Sequence, residues 1–261
     1  MTPALPLRKG VLVGTGLPAA GVDLGSPPDA GSPMAADVVD MFTHAVAHDL
    51  RAPLRAIDAY AQALADDYAH RLPIEAQHML GRLRTASETL EQRVAGLLRL
   101  SHVSQHPLRC SPCDLAPALT RVLADLRRQD PERVVVVTVP SAVPVDGDAA
   151  LLGIVVENLL SNAWKFTRGR ADARIDVALS RCDHTDVLSV RDNGVGLDMT
   201  QAHRLGLPFQ RLHPAASHDG TGIGLATSRR IIERHGGTLW ADGAPDAGAT
   251  FHVALPSVRT R

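Results

Sequence analysis

Three short stretches carry side chains that could act together on a phosphorylated nucleotide. In "ENLLSNAWKF" (157–166), Asn158, Asn162 and Lys165 recur at steps of four and three, so on a helix they share one face. The Asn162 carbonyl could coordinate a Mg2+ that bridges phosphates, and the Lys165 ammonium could pair with a phosphate. "DNGVG" (192–196) ends the strand pattern "LSVRD", where Asp192 can accept a hydrogen bond from an exocyclic amine such as adenine's. "GTGIG" (220–224) opens the helical pattern "IGLATSRRIIERHGG". The amides of Gly222, Ile223 and Gly224 would then leave a positive helix end toward phosphate oxygens, and a Cβ there would block close approach of the backbone. Each stretch has a plainer reading: an amide pair on a helix is commonly a cap or solvated surface, and Asn-Gly is a favoured hairpin turn. The three together, in this order and with matching secondary structure, favour the nucleotide site.

A fourth stretch, "THAVAHDLRAP" (43–53), places His44 and His48 one helical turn apart, the spacing of two metal ligands. It lacks the glutamate of an HExxH zinc site, and no third ligand is evident. At about 100° per residue, His48 lies about 200° from both Val46 and Leu50, so it projects from the polar side while they face the core. A neutral imidazole is a competent nucleophile toward a γ-phosphoryl group, and Asp49 beside it can orient the ring and accept its proton. Pro53 removes a backbone hydrogen bond and should kink the helix just after the histidine. "CSPC" (110–113) has the spacing of a redox or zinc half-site, but Cys182 is the one other cysteine and no second half-site completes four ligands. The plainer reading there is a small residue at a strand edge.

These residues need elements to position them. Val46, Leu50, Leu54, Ile57, Ala61 and Leu64 make one apolar stripe of a long helix over about 35–68. Met79, Leu83, Ala86, Leu90, Val94 and Leu97 make a second, reaching about residue 104 after a turn at "RLP". The pair predicts an antiparallel hairpin that cannot bury both stripes alone, hence a homodimer closing a four-helix bundle. Beyond "SQHPLRCSP" the pattern is α+β. A helix at about 114–129 and strands in "RVVVVTV" precede a helix at about 148–166 and the strands "ARIDVALSRC" and "VLSVRDN". A helix at 222–235 and closing strands in "GTLWAD" and "ATFHVALP" complete a sandwich of helices on one sheet. Residues 1–34, rich in Gly, Pro and Ala, read as a flexible tail, 35–106 as the hairpin and 107–261 as the α+β domain.

With 45% hydrophobic and 21% charged residues among 261, the balance is that of a soluble globular chain. A net charge of -1 gives no basic field to hold nucleic acid or an anionic membrane. No apolar run approaches the roughly 20 residues of a membrane helix, and no signal peptide is legible, so the expected location is cytoplasmic, without membrane insertion.

The order "ENLLSNAWKF", "DNGVG", "FQRLH", "GTGIGLA" closely resembles the ATP-binding domain of sensor histidine kinases, which has the Bergerat fold of gyrase-type ATPases. "AHDLRAPLRAI" (47–57) resembles the phosphoacceptor box of their dimerisation domain, and "PFQRLH" and "RRIIERHGG" are similar to phytochrome-type kinases. The resemblance covers about 35–257. It implies ATP and Mg2+ as cofactors, His48 as the phosphorylated residue, Asn162 as the Mg2+ ligand, Lys165 on phosphate and Asp192 on adenine. It further implies that Asn158, Gly194, Gly196, Gly220, Thr221, Gly222, Gly224 and Leu225 shape the nucleotide site, and that Arg211 reaches the γ-phosphate. The implied partners are a second copy of the chain and the receiver domain of a response regulator. A separate sensor protein is expected to supply the signal. Three departures bear on the chemistry. Ala52 stands where many such kinases carry Thr or Asn four residues after the acceptor, which predicts weak phosphatase activity. Gly206 replaces a common lid phenylalanine, which predicts a loosely anchored lid. Asn158 stands where Bergerat ATPases place a water-activating glutamate, and an amide is a poor base, so ATP should be hydrolysed slowly. Glu157, about 100° round the helix, should not substitute.

Overall fold

The computed structural model describes residues 33–182, 184–210 and 221–257, with side chains from residue 50 onward. The first 32 residues of the expected tail, and the side chains of Val46, His44, His48 and Asp49, lie outside the described set.

Two long helices, α1 (Pro33–Tyr68) and α2 (Ile74–Gln105), form the hairpin. A single 3-10 turn at Ala69–Arg71 reverses the chain, and Gln77 Nε2 closes the corner by donating to the carbonyls of Ala69 (2.9 Å) and Leu72 (3.1 Å). α1 is assigned as one helix across Pro53, so the expected kink does not interrupt it. Leu54, Ala61 and Val94 are buried in the seam, where Ser87 Oγ donates to Leu54 O. The other rows stay open: Leu50, Ile57, Leu64, Leu83 and Leu90 are each 42 to 46% exposed. The reason is geometric, because a hairpin gives each helix one neighbour and a stripe wider than one seam needs more than that.

The second body is a sandwich. Strand β1 (Ser111–Asp114) pairs antiparallel with β3 (Pro144–Gly147) in a two-stranded sheet. The main sheet has the order β2 (Val136–Thr138), β4 (Arg174–Cys182), β5 (Thr185–Asp192), β7 (Ala249–Pro256) and β6 (Thr238–Gly243), with only the β2–β4 pair parallel. Helices α3 (Ala116–Gln129), α4 (Ala149–Phe166) and α5 (Gly224–Arg234) share the core with its inner face. β5 and β7 alternate buried and half-buried residues, which puts Leu188, Val190, Phe251, Val253 and Leu255 against the helices. The β-branched run 134–138 yields only a three-residue edge strand, leaving Val134 81% and Val136 60% exposed. Pro140 ends it, and Pro144 opens β3 in the other sheet. Cys113 sits on β1 opposite Val145, and Cys110 just precedes that strand. An extended i, i+3 pair spans about 10 Å, beyond disulfide reach.

α4 is anchored at its start. Asp148 caps it through the amides of Ala150 and Leu151, and its own amide donates to His235 Nε2 (2.9 Å). His235 Nδ1 lies 2.7 Å from Ile231 O, so the proton belongs on Nδ1 and Nε2 is the acceptor. This ties the end of α5 to the start of α4. The hairpin packs on α5: Ile223, 2% exposed, meets α2 at Gly96, and Arg234 donates to the carbonyls of Val103 and His106.

Candidate active site

Asp192, the last residue of β5, is 4% exposed. Its Oδ1 accepts the Gly194 amide at 2.8 Å, and Ala249 supplies a second amide to the carboxylate. Burial pushes its pKa up despite those two donors. A buried carboxylate at the mouth of a sheet is costly unless something with donors comes to it, which suits the amino edge of a purine. The neighbouring Asn193 pins the strand exit: its Oδ1 accepts the Arg174 amide and its Nδ2 donates to Asp172 O, each at 2.8 Å. "NG" is therefore no hairpin turn; β5 lies between β4 and β7, and the chain leaves it for the lid and α5. Asn193 is a site-shaping residue that motif reading passed over, since the turn preference of Asn-Gly masked its side-chain bonds.

The glycines are explained by what surrounds them. A Cβ on Gly194 would run into Phe166 O, and Val195 N donates to that same oxygen at 3.2 Å. Gly196 has φ +74°, and a Cβ on it would strike Ala244 O. The "DNGVG" loop is thus pressed between the end of α4 and the β6–β7 turn. Gly222 also has a positive φ, +73°, and its carbonyl accepts the Phe209 amide at 3.0 Å. Gly224 begins α5 with 3.0 Å between its Cβ position and Asn158 Oδ1. No side chain caps the first turn of α5. Its leading amides keep the open donors that an anion can take. Thr221 Oγ1 accepts from Ile223 N at 3.4 Å, and Leu225 packs partly buried against the core.

Along α4, Asn158, Asn162 and Lys165 lie at the expected spacing, and the Asn158 contacts show which way that face turns. Its Nδ2 donates to Gly224 O (3.0 Å) and Ser228 Oγ (3.1 Å). Asn158 thereby joins α4 to the glycine end of α5. Asn162 is half-buried and makes no side-chain hydrogen bond among the described residues, which leaves its amide oxygen available to a hard cation. Lys165 Nζ stands 4.2 Å from the centroid of the Phe166 ring. A buried carboxylate, glycines holding backbone open, uncapped helix amides, an amide oxygen and a lysine form a set that fits a nucleotide with Mg2+ on its phosphates.

Gly206 has φ +73° and backs onto Arg229, which gives glycine a conformational reason at that position. The base of the lid is bonded rather than loose: Arg204 donates to Gln201 and Gln210, and Phe209 to Gly222. Arg211 and Gly220 lie outside the described residues. A cavity of about 590 Å³ opens where the two bodies meet, with Glu157, Asn158 and Gly224 on one side and Arg51, Arg99 and His102 on the other. Arg51 stands three residues after His48 on α1. Among the described residues no group of three His, Cys, Asp or Glu could hold a metal ion, and no helix is long and apolar enough to cross a membrane.

Comparison with known proteins agrees with this geometry. Residues 39–105 match the family model of the His Kinase A (phospho-acceptor) domain. Residues 147–259 match that of the histidine kinase-, DNA gyrase B-, and HSP90-like ATPase. The phytochrome-like protein Cph1 of Synechocystis sp. is 30% identical over 215 residues, covering 82% of this chain and 29% of the relative. The adaptive-response sensory kinase SasA of Prochlorococcus marinus is 31% identical over 216 residues, 81% of this chain and 57% of the relative. This chain therefore spans about three tenths of the phytochrome and little over half of the second kinase. Among solved structures, full-length ShkA in complex with AMPPNP superposes with TM-score 0.59 at 22% identity, covering 83% of this chain and 46% of that one. The Acinetobacter baumannii histidine kinase AdeS superposes with TM-score 0.57 at 21% identity, covering 81% and 98%. These two likenesses speak to the fold. With a phospho-acceptor hairpin followed by an ATP-binding domain, and with kinases and phytochromes related across both, the chain belongs to the sensor histidine kinases.

Proposed function

We propose that this chain is the catalytic core of a two-component system: an ATP-dependent protein-histidine kinase that phosphorylates its own His48 and passes the phosphoryl group to an aspartate of a response-regulator receiver domain. The observation that carries the reading is the buried Asp192 carboxylate and glycine cradle, lying in one molecule with the hairpin that bears His48, while Asn158 and Gly224 share a cavity with Arg51, Arg99 and His102 of that hairpin. In this reading Asp192 accepts the adenine amino group, and the first amides of α5 receive phosphate oxygens. Asn162 would hold Mg2+, whose charge offsets that of the phosphates when bound. Lys165 orients the same end of the nucleotide. An imidazole nitrogen of His48 attacks the γ-phosphorus, the bond to the β–γ bridging oxygen breaks, ADP leaves, and the imidazole proton passes to Asp49. Arg211 serves the developing charge. Asn158, tied to α5, supplies no base for water, so the phosphoryl group is reserved for histidine.

The open apolar rows of the hairpin support a second copy of the chain as the structural partner, closing a four-helix bundle. A sensor acting through the start of α1 would set its activity from the cytoplasmic side. The decisive experiment is incubation with γ-labelled ATP. Label that is acid-labile and base-stable, and that disappears in His48→Ala, is expected. Acid-stable label, or label persisting in His48→Ala, would falsify the acceptor.

A further inference from the structure

We propose that Arg133 is a positioning residue for the metal and phosphate end of the nucleotide site, its guanidinium fixing the last turn of α4 and through it Asn162 and Lys165. The inference rests on the reading of those two residues given above. Arg133 comes from the turn ahead of β2, where its amide donates to Asp130 O. Its Nη1 donates to Trp164 O at 2.5 Å and its Nη2 to Thr167 Oγ1 at 2.8 Å, with the guanidinium 5.1 Å from the centroid of the Trp164 ring. Trp164 is 4% exposed and Thr167 fully buried.

The last carbonyls of a helix lack intrahelical partners, and a cation there meets the negative end of the helix dipole. Thr167 Oγ1 lies 2.7 Å from Ala163 O and 3.1 Å from Trp164 O, yet it has only one proton to give. Arg133 supplies the missing donor to Trp164 O and satisfies the hydroxyl as an acceptor, so the turn is fully paired only with the planar fork in place. Trp164 lies between Asn162 and Lys165 in sequence, and Phe166 O, two residues on, supports the "DNGVG" loop through Val195. Without the fork the turn can fray. Asp192, paired with Ala249 in the β5–β7 ladder and accepting its amide, would stay where it is.

The effect should therefore fall on one end of the nucleotide. In the full chain, Arg133→Met and Arg133→Lys are compared by calorimetric binding of MgATP over a Mg2+ titration, binding of adenosine in EDTA, and thermal midpoint. Arg133→Met should weaken MgATP about 10- to 100-fold and move the Mg2+ midpoint upward. Adenosine binding should be unchanged, and Arg133→Lys should recover part of the loss. Adenosine and MgATP affinities falling together, or neither changing, would overturn the inference. Asn162→Ala separates the two readings: if it binds MgATP like the parent, the site assignment itself fails. If it is weakened and Arg133→Met is not, the Arg133 inference alone fails.

Discussion

Asp192 is a residue whose burial works against stability. Its carboxylate is buried with two amide donors, and desolvation raises its pKa. A raised folded-state pKa means that the favourable contribution is present below the ordinary carboxylate range and is lost as pH rises through the folded value. At neutral pH the ionised group therefore costs stability. Asp192→Asn should remove that cost while presenting an amide where adenine needs an acceptor. The expected outcome is a thermal midpoint no lower than the parent's, a difference in the variant's favour that grows as pH rises above the ordinary carboxylate range, and ATP affinity lower by about 10- to 100-fold, the worth of a hydrogen bond to a charged group. A variant that melts earlier at neutral pH would show Asp192 to be structural instead. One turn after His48, the proposed phosphoacceptor, exposed Ala52 offers no group to orient water. Ala52→Thr should raise dephosphorylation of a phosphorylated receiver in a timed release assay without altering autophosphorylation; an unchanged release rate would argue against that role.

At the scale of elements, the glycine runs rank themselves. Gly196 combines φ +74° with a carbonyl in the way, whereas the Cβ position of Gly222 keeps 3.0 Å from its nearest neighbours at φ +73°. Backbone strain of this kind costs about 1–3 kcal/mol, and a blocked approach adds to it. Gly196→Ala should therefore lower thermal stability more than Gly222→Ala, and both should weaken ATP binding; equal melting of the two would mean that the Ala244 contact yields easily. Much of this was readable in advance. The steps of four and three in α4, the strand leading to Asp192 and the helix opening at Gly224 follow from periodicity and glycine placement alone. What periodicity could not give were the contacts made far along the chain. β1 is legible only as a strand edge at "CSPC", because "SPCD" has no alternation and forms a strand only by pairing with β3. Asn158 shares its expected face with Asn162, but that its amide donates to α5 is not legible, because helical spacing defines a face without naming what that face meets. The hairpin stripes were legible as helix faces, but not which of their residues one neighbour would cover.

At the scale of the whole molecule, the two bodies are joined where α5 meets α2, and the seam runs through the glycine run itself. Ile223 stands between Gly222 and Gly224 and is 2% exposed, with a Cβ position on Gly96 falling 2.5 Å from its Cδ1. Arg230 and Arg234 reinforce the seam from the far end of α5, through Ser104 and the final carbonyls of α2. On the hairpin's other faces, Leu83 and Leu90 are open. An arginine at either should keep the helices but shift the chain from dimer to monomer in sedimentation, since a charge would have to be buried between copies. Gly96 separates two effects that usually travel together. Within an exposed helix, Gly→Leu gains up to about 1 kcal/mol of helix propensity, so the hairpin itself should be no less stable in Gly96→Leu. The added side chain has no room against Ile223, so the seam should open. The expected signature is faster protease cleavage within residues 106–110, a hairpin that melts no earlier, and an altered ATP affinity, because the displaced Ile223 carries the amide between the two glycines. Unchanged cleavage together with unchanged affinity would mean that α5 reads nucleotide without sensing the hairpin, and the coupling between the two bodies would have to run elsewhere.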